Sequence, residues 1–159
     1  MEDIRRVNLK AFGQPQEADI VDKLRNNCHK YLSLVSEVSE RITGHILFTP
    51  AVIESKNTKM QGMGLAPMAV LPEYQKQGIG SALVREGLKR LEQTRCLFVI
   101  VLGHSAYYPK FGFKKACSYG IKSEWDVPDE VFMIIVFDKA QLQGISGVAK
   151  YRSEFAEAM

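Results

Sequence analysis

Val70-Leu71-Pro72-Glu73-Tyr74-Gln75-Lys76-Gln77-Gly78-Ile79-Gly80-Ser81 reads as a strand ending, a turn and a helix beginning within a few residues. Upstream, residues 64–71 form a short apolar run stopped by Pro72, the pattern of a buried strand that ends at a proline. Downstream, Ile79, Leu83, Val84, Leu88 and Leu91 recur at helical spacing, and Arg85, Glu86, Lys89, Arg90 and Glu92 supply a wet face. The first N–H groups of such a helix lack intrahelical acceptors and sit at the positive end of its dipole. The turn therefore aims hydrogen-bond donors at an anion. Glycines at 78 and 80 leave the backbone open to close approach.

Spacing separates the competing phosphate motifs. A P-loop needs G-x-x-x-x-G-K-[S/T], which the chain lacks, and a dinucleotide turn needs a glycine or alanine where Leu83 stands. An isolated glycine pair more often marks tight helix–strand packing. Here the strand before it and the amphipathic helix after it favour a ligand.

Working outward, the continuous apolar run at 97–102 predicts a strand parallel to the one at 64–71, joined to it by a crossover helix. Before the turn, a weak apolar stripe at Ile4, Val7, Leu9 and Phe12 and a clearer one at Ala18, Val21 and Leu24 predict two helices, broken at 13–15. Tyr31, Leu32, Leu34 and Val35, a polar turn at 37–40 and residues 42–53 predict an antiparallel hairpin, and polar residues 54–61 a loop. After the parallel pair, a short helix over 105–111 ending at Gly112 and a last apolar strand over 131–138 are expected.

The chain has 159 residues, 46% of them hydrophobic, which suits one ordinary domain spanning 1–159, with 140–159 as its C-terminal extension. A net charge of +3 with interspersed signs gives no basic footprint for a nucleic acid. Cys28, Cys96 and Cys117 form no metal-ligand spacing with the histidines, and an odd count suits a reducing compartment. The start, MEDIRRVNLK, lacks the apolar stretch of a signal peptide, and no apolar run is long enough to span a bilayer. The expectations are a cytoplasmic protein with no metal, no membrane and no nucleic-acid partner.

Gln75, Gly78 and Gly80, in the order Q-x-x-G-x-G after a buried strand, resemble the acetyl-CoA signature of the GNAT superfamily of N-acetyltransferases. Tyr108-Pro109-Lys110-Phe111-Gly112-Phe113 looks like that superfamily's later Y-x-x-x-G-F element, and nearly the whole chain is covered in order. Residues 64–70, 102–108 and 125–133 resemble a bacterial subgroup of predicted N-acetyltransferases whose substrates are largely unassigned. The resemblance implies an α+β fold: a mixed, mostly antiparallel twisted sheet with helices on both faces. Its central parallel pair would splay apart at the coenzyme A site. Family members usually open with a strand before the first helix. This sequence starts almost at the helix itself, so either the recorded start lies inside a longer reading frame or another segment covers that sheet edge. The tail after Asp138 is a candidate to cover an edge or to join a homodimer interface.

The same resemblance implies transfer of an acetyl group from acetyl-CoA to a primary amine, and direct transfer in a ternary complex is the simpler expectation. Backbone of Met68, Ala69 and Val70 would pair with the pantetheine arm like an added strand. Gln75 and Lys76 would belong to the same cofactor turn, and the amides of Gln77, Gly78, Ile79, Gly80 and Ser81 would hold the pyrophosphate. Two rival readings are a non-catalytic acyl-CoA sensor and a nucleotide-binding module of another class.

Acetyl transfer needs a neutral amine, stabilisation of the oxyanion and a proton for the departing thiolate. Tyr108, the tyrosine of the later element, is the implied acid; a phenol stays protonated at neutral pH. Tyr107 is expected to pack and Tyr108 to reach the cleft; the alternative is that both are ordinary core aromatics, as adjacent tyrosines usually are. The oxyanion donor is expected to be a backbone N–H near Val70. Some family members carry a glutamate base at the position of Gly64, so that role does not transfer, and Glu54, His45 and His104 remain. His104, just past the end of the parallel strand, is favoured, since a histidine titrates in the useful range. An exposed loop position explains it equally well. Cys117 falls on an expected strand with no adjacent histidine, which argues against an acyl-cysteine route. Trp125, Asp126, Asp129, Glu130 and Phe132 are either the border of the acceptor pocket or core and solvated turn.

Overall fold

Glu2–Phe12 (α1) and Gln16–Asn27 (α2) open the chain in the computed structural model, which describes residues 2–158. They part at Gly13, whose φ of 68° and N–H bond to Leu9 O end the first helix. Val7 from α1 and Ala18, Val21 and Leu24 from α2 are fully buried, and Arg5 reaches Asp22 at 2.6 Å and Asp19 at 2.9 Å. Exposed pairs of this kind add little to stability.

Leu32–Val38 (β1) and Arg41–Glu54 (β2) form the expected antiparallel hairpin. Ser39 and Glu40 both have positive φ, 50° and 65°, the sense of turn that matches the twist of the flanking strands. The expected loop over 54–61 shortens to residues 55–58: a turn closed by Ser55 N–H to Thr58 O leads straight into Lys59–Val70 (β3). Lys59 and Gln61 are exposed and Met60 half-buried, so the strand shows itself by alternation, not by an apolar run.

Ile79–Gln93 (α3) then leads to Phe98–Leu102 (β4), which pairs parallel with β3 at Met63–Val99, Gly64–Ile100 and Leu65–Val101. The remaining strands are short: Lys114–Lys115 (β5), Ile121–Ser123 (β6), Phe132–Val136 (β7) and, after the one-turn helix Lys139–Leu142 (α4), Gly147–Lys150 (β8). The strand order is β5-β7-β4-β3-β2-β8-β6, with β1 also on β2. β6 runs parallel to β8, while β7 is antiparallel to β4 and β8 antiparallel to β2. The tail thus does cover a strand edge, that of β2 at Val52, Ile53 and Glu54.

The chain packs as two compact units, with β2, β3 and α3 each running through both. The first takes residues up to 49, 66–88 and those from 152 on. In it Phe48 is fully buried with its ring against Gly87 of α3, where a Cβ would come within 2.3 Å of a ring carbon. The second takes 50–65 and 89–151, with Ile53, Phe98, Ile100 and Ile134 fully buried. Among the described residues no helix is long and apolar enough to cross a membrane.

Candidate active site

The turn at 70–81 is built as the sequence predicts, with more structure in it. Pro72–Tyr74 makes a single 3-10 turn, and Gln75 returns to an extended conformation. Lys76 (φ 63°) and Gly78 (φ 88°) both adopt left-handed backbone around Gln77, after which α3 begins. Such a run of special backbone conformations turns successive N–H groups toward one concavity. The Gln75 side chain donates to Val70 O at 3.0 Å, and that of Gln77 to Glu73 O at 3.3 Å, so two side chains brace the turn. The first α-helical bond, Ala82 N–H to Gly78 O, leaves the amides before Ala82 outside the helical ladder. Nothing lies within 4 Å of where a Cβ at Gly78 would stand.

Met68, Ala69 and Val70 form the end of β3. Ala69 packs inward with Val7 and Leu71, and Leu71 N–H bonds Thr43 O. The β4 register stops at Leu65–Val101, well short of Val70, so the last stretch of β3 has no β4 partner in that register.

In the second unit, Gly103 follows β4 and bonds Val131 O, while Tyr107 and Tyr108 both donate their N–H to the His104 carbonyl. A 3-10 turn over Tyr108–Phe111 replaces the expected longer helix, because Pro109 cannot donate and Gly112, at φ 105°, ends it. Tyr108 is 7% exposed, edge-on to Tyr107 and Phe113 at 5.1 and 5.7 Å. Burial, and secondarily Tyr107, push its pKa up to about 12. The expected division of labour is reversed in burial: Tyr107 is the half-buried one, with the Lys110 ammonium 4.1 Å from its ring centre.

Sequence reasoning missed Tyr151. Its hydroxyl donates to Leu65 O at 3.2 Å and lies 3.4 Å from Ile100 O, at the last pairs of the parallel ladder. Its ring fills the space over Gly64, where a Cβ would sit 2.5 Å from Cε1. Burial pushes its pKa far up, Tyr108 adds to this, and a backbone hydrogen bond from Leu102 partly opposes it. The available signal was Gly64 itself: a glycine inside a buried strand marks a close approach by another group.

Trp125 stacks on Tyr151, ring centres 5.6 Å apart and planes 21° off parallel. It also lines a cavity of about 380 Å³ with Cys117, Lys122, Asp126, Asp129 and Phe132; Glu130 does not line it. Phe132 is buried at 4%, so it serves both core and cavity wall. Cys117 stands exposed on a 3-10 turn, Ala116–Tyr119, closed by left-handed Gly120, instead of on a strand.

The base candidates separate clearly. His104 is exposed on the loop after β4. His45 is fully buried between Asn8 at 3.3 Å and Ser33 at 2.9 Å, and burial with nearby Arg25 lowers its pKa to about 4. It has a structural place. Glu54 is ion-paired with Lys150 at 2.8 Å, which holds its pKa below the usual range.

Comparison with known proteins follows the same outline. Residues 29–115 match the family model of the acetyltransferase (GNAT) domain. The uncharacterized N-acetyltransferase YjhQ of Escherichia coli (strain K12) is 40% identical over 131 residues, 80% of this chain and 72% of that protein. The uncharacterized N-acetyltransferase YhbS of the same strain is 30% identical over 147 residues, 92% of this chain and 87% of that protein. The crystal structure of Escherichia coli YhbS in complex with CoA superposes with a TM-score of 0.90 at 29% identity, over 98% of this chain and 86% of that one. A GNAT family acetyltransferase from Brucella melitensis, solved with acetyl-CoA, gives 0.79 at 32% identity, over 97% and 90%. With turn, strand pair and tyrosine element in the family's order and the family model matched over more than half its length, this chain belongs to the GNAT acetyltransferase family.

Proposed function

We propose that the chain works as one N-acetyltransferase domain that moves an acetyl group from acetyl-CoA directly to a primary amine, both substrates being bound together. The braced turn of Lys76 and Gly78 at the start of α3 carries this reading. A doubly charged diphosphate suits that concavity, because main-chain donors and the helix dipole act on the same anion. Open space at Gly78 leaves room for it. The amides of Gln77, Gly78, Ile79, Gly80 and Ser81 hold the diphosphate, with Gln75 and Lys76 shaping the turn. Backbone of Met68, Ala69 and Val70 takes the pantetheine amides as an added strand. YhbS and the Brucella protein, solved with CoA and acetyl-CoA, support the choice of ligand.

Tyr108 donates its proton to the departing thiolate; its raised pKa keeps the proton available throughout the neutral range. A backbone N–H near Val70 steadies the oxyanion. His104, exposed and just past β4, takes the amine proton directly or through water. The cavity walled by Trp125 and Phe132 receives the body of the amine. Three free cysteines suit a reducing compartment, the cytoplasm.

The test is calorimetry with CoA and acetyl-CoA, followed by a panel of primary amines monitored by CoA release. Uptake of both ligands with turnover of at least one amine is expected. Uptake without any turnover would make the protein a sensor, and stabilisation by ATP or NAD instead of CoA would remove the reading altogether.

A further inference from the structure

Two tyrosines flank the carboxyl end of β4, and each lies over a glycine. Tyr108 covers Gly103, where a Cβ would sit 2.4 Å from its ring, and Tyr151 covers Gly64 at 2.5 Å. Tyr151 comes from beyond β8, far along the chain from both. Its phenol oxygen is within 3.4 Å of the carbonyls of Leu65 and Ile100, so both carbonyls face the gap between β3 and β4. In a parallel ladder a carbonyl facing the gap takes an N–H from the neighbouring strand. The hydroxyl enters the ladder at its last pairs, bonding the strands through a side chain where their own register stops.

The backbone of Leu102 also bonds Tyr151, and the next residue is Gly103, the platform for the Tyr108 ring. The Tyr151 ring is also held by Trp125, and its backbone N–H by the Glu124 carboxylate at 2.9 Å. The side chain is firmly fixed: ring stacked, hydroxyl bonded, backbone bonded, 8% exposed.

We infer that Tyr151 is a positioning residue for acetyl transfer, fixing the end of β4 through its hydroxyl and thereby setting where Gly103 presents Tyr108. The inference rests on the proposed role of Tyr108 as acid. A misplacement of about 1 Å in a reacting group costs up to roughly a hundredfold in rate, so a rigid support is worth having even though it touches no substrate.

The test uses Tyr151→Phe, which keeps the ring and its stacking and removes only the hydroxyl. On the amine that the native protein turns over fastest, kcat should fall roughly tenfold while the KM for acetyl-CoA stays within about threefold. In a Tyr108→Phe background the same change should cost less than about twofold, because a residue acting through Tyr108 has nothing left to position. Should Tyr151→Phe fail to fold, Gly64→Ala displaces the same ring by its Cβ and is read in the same two backgrounds. Native kcat in the single variant, or costs that multiply in the double variant, would overturn the inference and leave the enzyme intact. A native protein that turns over no amine would overturn the proposed function, and the inference with it.

Discussion

The ring of Tyr108 lies so close over Gly103 that a Cβ at residue 103 would stand 2.4 Å from its Cε2 and 3.1 Å from its Cδ2. Gly103 carries no left-handed φ, so alanine is acceptable to the backbone and the whole cost falls on the ring. Gly103→Ala should destabilise the fold by about 1–3 kcal/mol, the range for forcing extra volume into a packed site. It should also lower turnover at least roughly tenfold by moving the phenol, with CoA affinity kept. Urea unfolding and kcat read both effects, and full turnover in a destabilised variant would show that the exact seat of the ring is unimportant.

Tyr108→Phe separates chemistry from packing at the same place, since the phenyl ring preserves the edge-on contacts with Tyr107 and Phe113. Loss of a positioned acid should lower kcat roughly a hundredfold with little change in acetyl-CoA affinity. The pKa pushed up to about 12 adds a second expectation. The native phenol keeps its proton well past the ordinary tyrosine value of about 10. Its loss should therefore not bend the native pH–rate profile between about pH 8 and 10, and a fall there that Tyr108→Phe abolishes would contradict the burial argument.

Stability should depend on His45. Its pKa is about 4 in the folded protein against 6.5 when unfolded, because burial and Arg25 disfavour the imidazolium. Below 6.5 the unfolded chain gains a proton that the folded one refuses, so stability is complete above that pH and falls steadily until about 4, where the folded state also protonates. The difference amounts to about 3 kcal/mol between neutral and acid solution. Urea unfolding at about pH 7 and about pH 4.5 measures most of this range. His45→Gln keeps polar partners for Ser33 and Asn8 but cannot titrate, so its stability should be flatter with pH. Equal slopes for the two proteins would exclude His45 as the cause.

How much of this was legible depends on how local the signal is. The turn was readable because its cues lie side by side: an apolar run, Pro72, Gln75, two glycines and the stripe from Ile79 to Leu91. Tyr108 was readable through the glycine and phenylalanines that follow it, but its burial was not, since that depends on Gly103 and Phe113 folding back over it. The start of β3 escaped because Lys59 and Gln61 are polar and only alternation gives the strand away. Tyr151 escaped for a deeper reason. Its bond to Leu65 spans 86 residues and exists only after β8 has found the end of β2. No window of sequence contains both partners, and Gly64 alone said that something large must come close.

Gly78 offers the sharpest test of the anion site, because strain and sterics separate there. A Cβ at residue 78 would meet nothing within 4 Å, yet φ is 88°, a conformation that side chains disfavour by about 1–2 kcal/mol. Gly78→Ala should relieve that strain by rotating the turn, which redirects the N–H groups around Lys76 and Gln77 while α3 stays helical. The loss should fall on ligands that carry the diphosphate: CoA should bind at least roughly tenfold more weakly, and added salt should matter less than for the native protein. Pantetheine, which has the arm without the diphosphate, should bind both proteins alike. Calorimetry with the two ligands reads the contrast, and circular dichroism confirms the helix content. If Gly78→Ala weakens pantetheine as much as CoA, the turn shapes β3 instead of gripping the anion. If it weakens neither, the diphosphate must be held elsewhere.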